Sequence, residues 1–161
     1  MRKRVCGLLV VAVVCAVGAA SLLVANATTG ALQKSPTDVS RSVATKYIAA
    51  LTSAKASRVA AIFAPKGVEV DKAAGAGGAT IQGAHDIASA WSTEVFGIPG
   101  YRFHGTLTCA AADWAVVNWV MQTNNSIYQG GKVRTTGISI LEITSGKIAR
   151  ETLYYERIDT R

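Results

Sequence analysis

Cysteine and histidine are scarce in this chain of 161 residues. Of its three cysteines, Cys6 and Cys15 lie in a hydrophobic run near the N-terminus, and only Cys109 follows it. A domain in the rest of the chain therefore has no internal disulfide and must be stabilised by its core. The two histidines, His85 and His104, have no second imidazole at ligand spacing. The sequence thus predicts no metal site, and no Ser-His-Asp spacing is present.

Phosphate-binding motifs are also absent. The stretch Ala73 to Ala79 reads AAGAGGA, but it lacks the Lys-Ser/Thr pair of a phosphate loop and opens no strongly apolar helix. We interpret it as a flexible loop and predict no cofactor. Of the net charge of +7, Arg2, Lys3 and Arg4 contribute three, and the charges in the rest of the chain are scattered singly. A solubilising surface explains this pattern, and we expect no nucleic-acid partner.

The N-terminus carries an export pattern. The basic cluster Arg2 to Arg4 precedes an uncharged apolar run from Val5 to Ala25, and Ala25-Asn26-Ala27 offers small residues to a signal peptidase. The run reaches the roughly 20 residues needed to span a bilayer, so a cleaved signal peptide and a membrane anchor both fit. In either case we expect the rest of the chain outside the cytoplasm. Residues 28–36 are a predicted linker and residues 37–161 the domain.

The clearest element of the domain is an amphipathic helix from Val39 to Leu51. Ser35-Pro36-Thr37-Asp38 supplies the residues of a helix start, and the helix is predicted to end near Ser53. One helical face is apolar and carries Val39, Val43, Tyr47, Ala50 and Leu51. The periodicity therefore turns the phenol of Tyr47 inward, where a core tyrosine must find a hydrogen-bond partner.

Further helices and strands follow. A short helix is predicted from Ser57 to Ala64 and ended by Pro65-Lys66-Gly67, and a third from Gly83 to Phe96. Val68 to Asp71 alternates as a short strand with Glu69 and Asp71 on one side. The second half contains four long strand-like runs, Tyr101–Ala111, Trp114–Thr123, Lys132–Thr144 and Lys147–Asp159. This order predicts an α+β domain with helices on one face of an antiparallel or mixed sheet.

Several of these residues together resemble a known superfamily. The matching features are TKYIAAL (Thr45 to Leu51), Ile62-Phe63, Asp71, Gly83 with Ile87, and Ser145-Gly146-Lys147-Ile148. From about Val39 to Glu156 the chain is similar to the nuclear transport factor 2-like superfamily, which includes ketosteroid isomerases and SnoaL-like polyketide cyclases. The resemblance implies a cone, in which a strongly curved sheet wraps around three N-terminal helices and leaves a hydrophobic pocket open.

The resemblance also implies catalytic residues. Tyr47 matches the phenol that hydrogen-bonds the substrate oxyanion, and Asp71 matches the general base next to a carbonyl. Proton abstraction beside a ketone needs one group of each kind. The sequence departs from the isomerases at Ser139, which replaces an aspartate, and at Trp91, which replaces a tyrosine. The alternative is that Tyr47 is a core tyrosine and Asp71 a strand-end carboxylate in water.

Five residues are predicted to line the ligand pocket: Phe63, Trp91, Asn118, Val120 and Ser139. Asn118 qualifies only if its face of the strand points inward. Trp114 and Trp119 fall on opposite faces, so one of them should pack inside. Ile138 and Ile140 lie on the face opposite Ser139, which favours a homodimer through the sheet face.

Two functions remain open from the sequence. The first is an exported or membrane-tethered domain that binds a small hydrophobic, carbonyl-bearing ligand. It would act as a cofactor-independent isomerase or cyclase if it is an enzyme at all. The second is a non-catalytic scaffold or protein-interaction module of the cell envelope with the same fold.

Overall fold

The computed structural model describes residues 34–73, 78–126 and 130–160. The predicted export segment, Val5 to Ala25, lies outside these residues, as does most of the predicted linker and of the glycine-rich loop. Within the described residues no helix is long and apolar enough to cross a membrane.

The first helix, α1 (Pro36–Thr52), begins and ends where the sequence predicts. The Ser35 side chain accepts a hydrogen bond from the backbone N–H of Asp38, and Pro36 occupies the first turn, where a missing N–H costs nothing. Tyr47 and Leu51 are fully buried on the inner face. The short helix α2 (Ala56–Ile62) follows after a tight turn.

The Pro65-Lys66-Gly67 segment does not end a helix, contrary to the prediction. Helix α2 already stops at Ile62, and residues Phe63–Asp71 form strand β1. The pairing of β1 with the last strand shifts register between Phe63 and Val68. A proline cannot donate to a sheet, and it is accommodated at this irregular stretch of β1.

The third helix is split into two conformations. After a short strand β2 (Ala79–Gln82), helix α3 spans Ala84–Ala90 and continues as a π-helical segment, Trp91–Phe96. The sequence predicted the helical stretch but neither β2 nor the π-helical geometry. Because β1 and β2 precede α3, the three helices are not all N-terminal to the sheet.

In the part of the chain that the structure describes, six strands form one open, mixed sheet in the order β2-β1-β6-β5-β4-β3. The last four strands are β3 (Arg102–Ala110), β4 (Trp114–Thr123), β5 (Lys132–Thr144) and β6 (Lys147–Thr160). Strands β1 and β6 pair in parallel and all other neighbours are antiparallel. The α+β prediction is confirmed, and the core lies between the helices and the inner face of the sheet.

Candidate functional site

A cavity of about 360 Å³ opens between the inner face of the sheet and the π-helical segment. Its walls are mainly apolar and aromatic and include Trp91, Trp119, Met121, Val133, Leu153 and Tyr155. Three carboxylic acids also line it, Glu69, Asp71 and Glu94. An apolar pocket with a few converging polar groups is the usual form of a small-molecule site.

Asp71 occupies the end of β1 at the cavity wall. Its Oδ2 accepts a 2.7 Å hydrogen bond from the Tyr155 hydroxyl, and its Oδ1 accepts a 2.8 Å hydrogen bond from the backbone N–H of Ala73. Burial and the neighbouring Asp71 raise the pKa of Tyr155 to about 12, so the phenol remains a donor at neutral pH. Both carboxylate oxygens are therefore held in place, which suits a group that must accept a proton from one direction.

Glu69 lies two residues earlier on the same face of β1 and is 7% exposed. The indole N–H of Trp91 donates a 2.7 Å hydrogen bond to its Oε2. Burial raises the pKa of Glu69 to about 7, with added repulsion from Asp71 and Glu94, while the Trp91 hydrogen bond opposes the shift. At neutral pH a large fraction of Glu69 is therefore protonated and can donate a hydrogen bond.

Behind this wall lies a buried hydrogen-bond chain. The Trp119 indole N–H donates to Ser139 Oγ at 2.9 Å, and Ser139 Oγ lies 2.9 Å from the Tyr47 hydroxyl. Tyr47 in turn donates to Glu151 Oε1. With one proton on each hydroxyl, the chain runs in one direction, from Trp119 through Ser139 and Tyr47 to Glu151.

Glu151 is the innermost acid and is completely buried. Burial and the nearby charge of Glu69 raise its pKa to about 8, although the hydroxyls of Tyr47 and Ser139 favour the charged form. Burial, together with the adjacent Glu151, also raises the pKa of Tyr47 well above its ordinary value. Near pH 7 Glu151 is therefore mainly neutral and Tyr47 keeps its proton.

The structure brings only part of the predicted site to the cavity. Asp71 and Trp91 line it, whereas Tyr47 and Ser139 lie in the buried chain behind it and Phe63 packs in the core. Tyr47 is thus an inward-facing phenol, as its periodicity predicts, but its hydroxyl is directed at Ser139 and Glu151.

Asn118 and Val120 lie on the opposite face of the sheet from the cavity. Strand β4 buries Ala115, Val117 and Trp119 on its inner face, so the intervening positions turn outward and Asn118 is exposed. The same alternation leaves Trp114 on the outside, at 39% exposure. The two-residue period of β4 correctly separates the positions of its two faces, but the sequence does not reveal which face points inward.

The prediction missed Glu69, Glu151 and Tyr155. A signal for Glu69 was present, because it alternates with Asp71 on one side of β1. Glu151 and Tyr155 flank Leu153 on the inner face of β6. Recognising them required the long-range pairing of β6 with β1, which no local pattern encodes.

Solved structures similar to this chain share its fold. One is a putative ketosteroid isomerase from Kribbella flavida DSM 17836, with 18% identity, a TM-score of 0.64, and coverage of 79% of this chain and 84% of that one. Another is a protein from Catenulispora acidiphila DSM 44928 with a ketosteroid isomerase-like fold, in complex with trimethylamine. It has 21% identity, a TM-score of 0.60, and coverage of 71% and 85%.

A third similar structure is an M. tuberculosis LEH-like epoxide hydrolase. It has 16% identity, a TM-score of 0.56, and coverage of 74% of this chain and 84% of that one. At these identities the likenesses show the fold alone.

A search of curated proteins gives no match. The family model of the SnoaL-like domain matches residues 44–151, which is more than half of the chain. The chain therefore belongs to the SnoaL-like domain family of the nuclear transport factor 2-like superfamily.

Proposed function

We propose that the domain binds a small apolar, carbonyl-bearing ligand in its cavity and moves a proton at the carbon next to the carbonyl. Asp71 is the base. Glu69, in its protonated form, is the hydrogen-bond donor to the carbonyl oxygen, the part that the resemblance had given to Tyr47. The observation that carries the proposal is the presence of two carboxyls with different environments in one apolar cavity.

Asp71 and Glu69 are suited to different roles, the base and the hydrogen-bond donor. The Asp71 carboxylate accepts hydrogen bonds at both oxygens, from Tyr155 and from the Ala73 N–H. Glu69 is desolvated, and its raised pKa of about 7 favours its neutral form. Carboxyls whose environments separate their protonation states can divide acid and base functions between them.

The spacing of the acids suits a ligand that lies along β1. Residues two apart on one face of a strand are separated by roughly 7 Å. A ligand in this orientation presents its carbonyl oxygen to Glu69 and the adjacent carbon to Asp71. The apolar walls exclude water, which strengthens a hydrogen bond to the oxygen where negative charge develops.

The proposal is tested by incubating the full chain with a β,γ-unsaturated ketosteroid and following its conjugation by ultraviolet absorbance. Loss of a general base typically costs about a hundredfold to ten-thousandfold in rate, so D71N should lose most of the activity. D113N is the matched control, because Asp113 is exposed in the turn between β3 and β4. Equal rates for D71N and the unchanged protein would remove the proposal for this substrate class.

We also propose that the domain acts outside the cytoplasm, as a secreted protein or anchored to the membrane by residues 5–25. The support is the order of a basic cluster, an apolar run and small residues in the sequence. Mass spectrometry of the native N-terminus distinguishes the two forms. A chain that begins at Thr28 has been cleaved, whereas an intact Met1 or Arg2 terminus indicates the anchor.

A second candidate function is a protein-interaction module. The outer face of the sheet exposes four large apolar side chains, Trp114, Ile138, Tyr154 and Ile158. Ile138 and Tyr154 are directly paired on neighbouring strands, so they form one apolar surface. We propose a second copy of this chain as the partner, because a two-fold contact would cover the same patch on both copies.

A further inference from the structure

Glu69 and Glu151 are direct neighbours across two parallel strands. The register of β1 with β6 pairs Glu69 with Glu151, and both side chains lie on the inner face of the sheet. Adjacent strands are about 4.8 Å apart, so the two carboxyls extend into the same buried region. Only Glu69 is exposed to the cavity, and Glu151 is completely buried behind it.

The hydrogen bonds of the pair are incomplete. Trp91 donates to Glu69 Oε2 and Tyr47 donates to Glu151 Oε1, but Glu151 Oε2 has no hydrogen-bond partner among the described residues. A buried carboxylate with an unpaired oxygen is costly, and two adjacent carboxylates also repel each other. The arrangement therefore disfavours the state in which both acids are charged.

We propose that Glu69 and Glu151 form a coupled carboxyl pair that retains at least one proton at neutral pH, because a charge on Glu69 holds the proton on the adjacent, partly unpaired carboxyl of Glu151. The role of Glu69 in proton transfer rests on the function proposed above, but the coupling of Glu69 with Glu151 does not require a ligand.

The groups around the pair reinforce proton retention at Glu69. Asp71 on the same strand and Glu94 on the π-helical segment both raise the pKa of Glu69. The cationic residue of the cavity wall, Arg157, is paired with Asp159 at 3.0 Å. Around Glu151, the facing groups are the Tyr47 hydroxyl from α1 and the Ser139 hydroxyl from β5, which favour its charged form without supplying a positive charge.

The pair returns to its starting state in each turnover. Asp71 takes the proton from the ligand carbon and gives it back at another carbon of the same ligand. Glu69 donates a hydrogen bond to the oxygen while the charge is there. Glu69 and Glu151 therefore end with the protons they began with, and no further reactant is needed.

The test is a carboxyl titration of the full chain labelled with ¹³C at glutamate side chains, followed by NMR without ligand. Coupled sites titrate in steps that belong to the pair, and their interaction shifts these steps by about one pH unit or more. We expect the Glu151 step in E69Q to lie about one pH unit below its position in the unchanged protein, because no charge at residue 69 then opposes loss of the Glu151 proton. E151Q keeps only the Glu69 step and so assigns the two steps to their residues. E156Q is the matched control, because Glu156 is exposed on β6.

Independent acids would give a different result. The Glu151 step of E69Q would then stay at its original pH, which would overturn the proposal. Thermal melts check that the variants fold, and E69Q alone decides the question if E151Q does not fold. Confirmed coupling without proton transfer would reject the proposed function while keeping the pair.

Discussion

The hydroxyl of Tyr155 donates a 2.7 Å hydrogen bond to Oδ2 of Asp71 and so connects β6 with the end of β1 at the cavity. Y155F removes this bond and frees the carboxylate to rotate. A hydrogen bond to a charged group contributes about 1.5–3 kcal/mol, so proton transfer should fall roughly tenfold to a hundredfold. Y154F is the matched control on the outer face, and an unchanged rate in Y155F would show that Asp71 is oriented by other contacts.

The two buried acids predict how stability depends on pH. Glu69 and Glu151 have pKa values of about 7 and about 8 in the folded protein, above the ordinary value of 4.5. The folded state therefore binds more protons than the unfolded state from about pH 5 upward. The free energy of unfolding should fall as the pH rises from 5 to 8, by up to about 1.4 kcal/mol per pH unit for each acid.

Chemical denaturation across this pH range measures the effect. E151Q should show a shallower decline than the unchanged protein, whereas E156Q should follow the unchanged curve. A free energy of unfolding that rises between pH 5 and 8 would contradict the assignment of both acids as protonated in the folded state.

Tyr47 is predicted to matter for stability more than for chemistry. Y47F removes the hydroxyl that donates to Glu151 and accepts from Ser139, which leaves buried polar atoms without partners at a cost of about 1–3 kcal/mol. If Tyr47 were instead a donor to the substrate oxyanion, its loss would lower the rate by about a hundredfold to a thousandfold. We expect the denaturation midpoint to fall and the rate to change less than tenfold. A loss of a hundredfold or more at full stability would restore Tyr47 to the catalytic site.

The ring of Trp119 leaves no space for a side chain at Gly137. A Cβ at this position would lie 2.5 Å from Cζ2 of Trp119 and 2.7 Å from the backbone oxygen of Tyr154. G137A should therefore destabilise the protein by about 1–3 kcal/mol and displace the indole from Ser139. The control is G97A, because the nearest atom to a Cβ there is 3.9 Å away. Equal denaturation midpoints for the two variants would show that the sheet yields at Gly137.

The proposed sheet-face dimer predicts a change of oligomeric state. I138E places a charge in the apolar surface formed with Tyr154, and sedimentation velocity should then show a monomer where the unchanged protein is a dimer. K46E changes charge on an exposed position of α1 and should leave the dimer intact. A monomeric unchanged protein would contradict the proposed contact.

Local patterns in the sequence were sufficient to predict α1 and the four long strands. The cap at Ser35 and the spacing of Val43, Tyr47 and Leu51 give one helix and one buried face. The π-helical segment and the irregular start of β1 carry no such signal, because both depend on packing against the rest of the fold. The candidate site was only half predictable for the same reason. Alternation pairs Asp71 with Glu69, but only the parallel register places Glu151 beside them.

As the proposed base, Asp71 accepts a proton from a carbon next to a ligand carbonyl. The most direct measurement is NMR detection of deuterium incorporation at that carbon when the full chain is incubated with a small cyclic ketone in heavy water. We expect exchange well above the uncatalysed rate, falling to near that rate in D71N and unchanged in D113N. Exchange by D71N at the rate of the unchanged protein would contradict this role of Asp71.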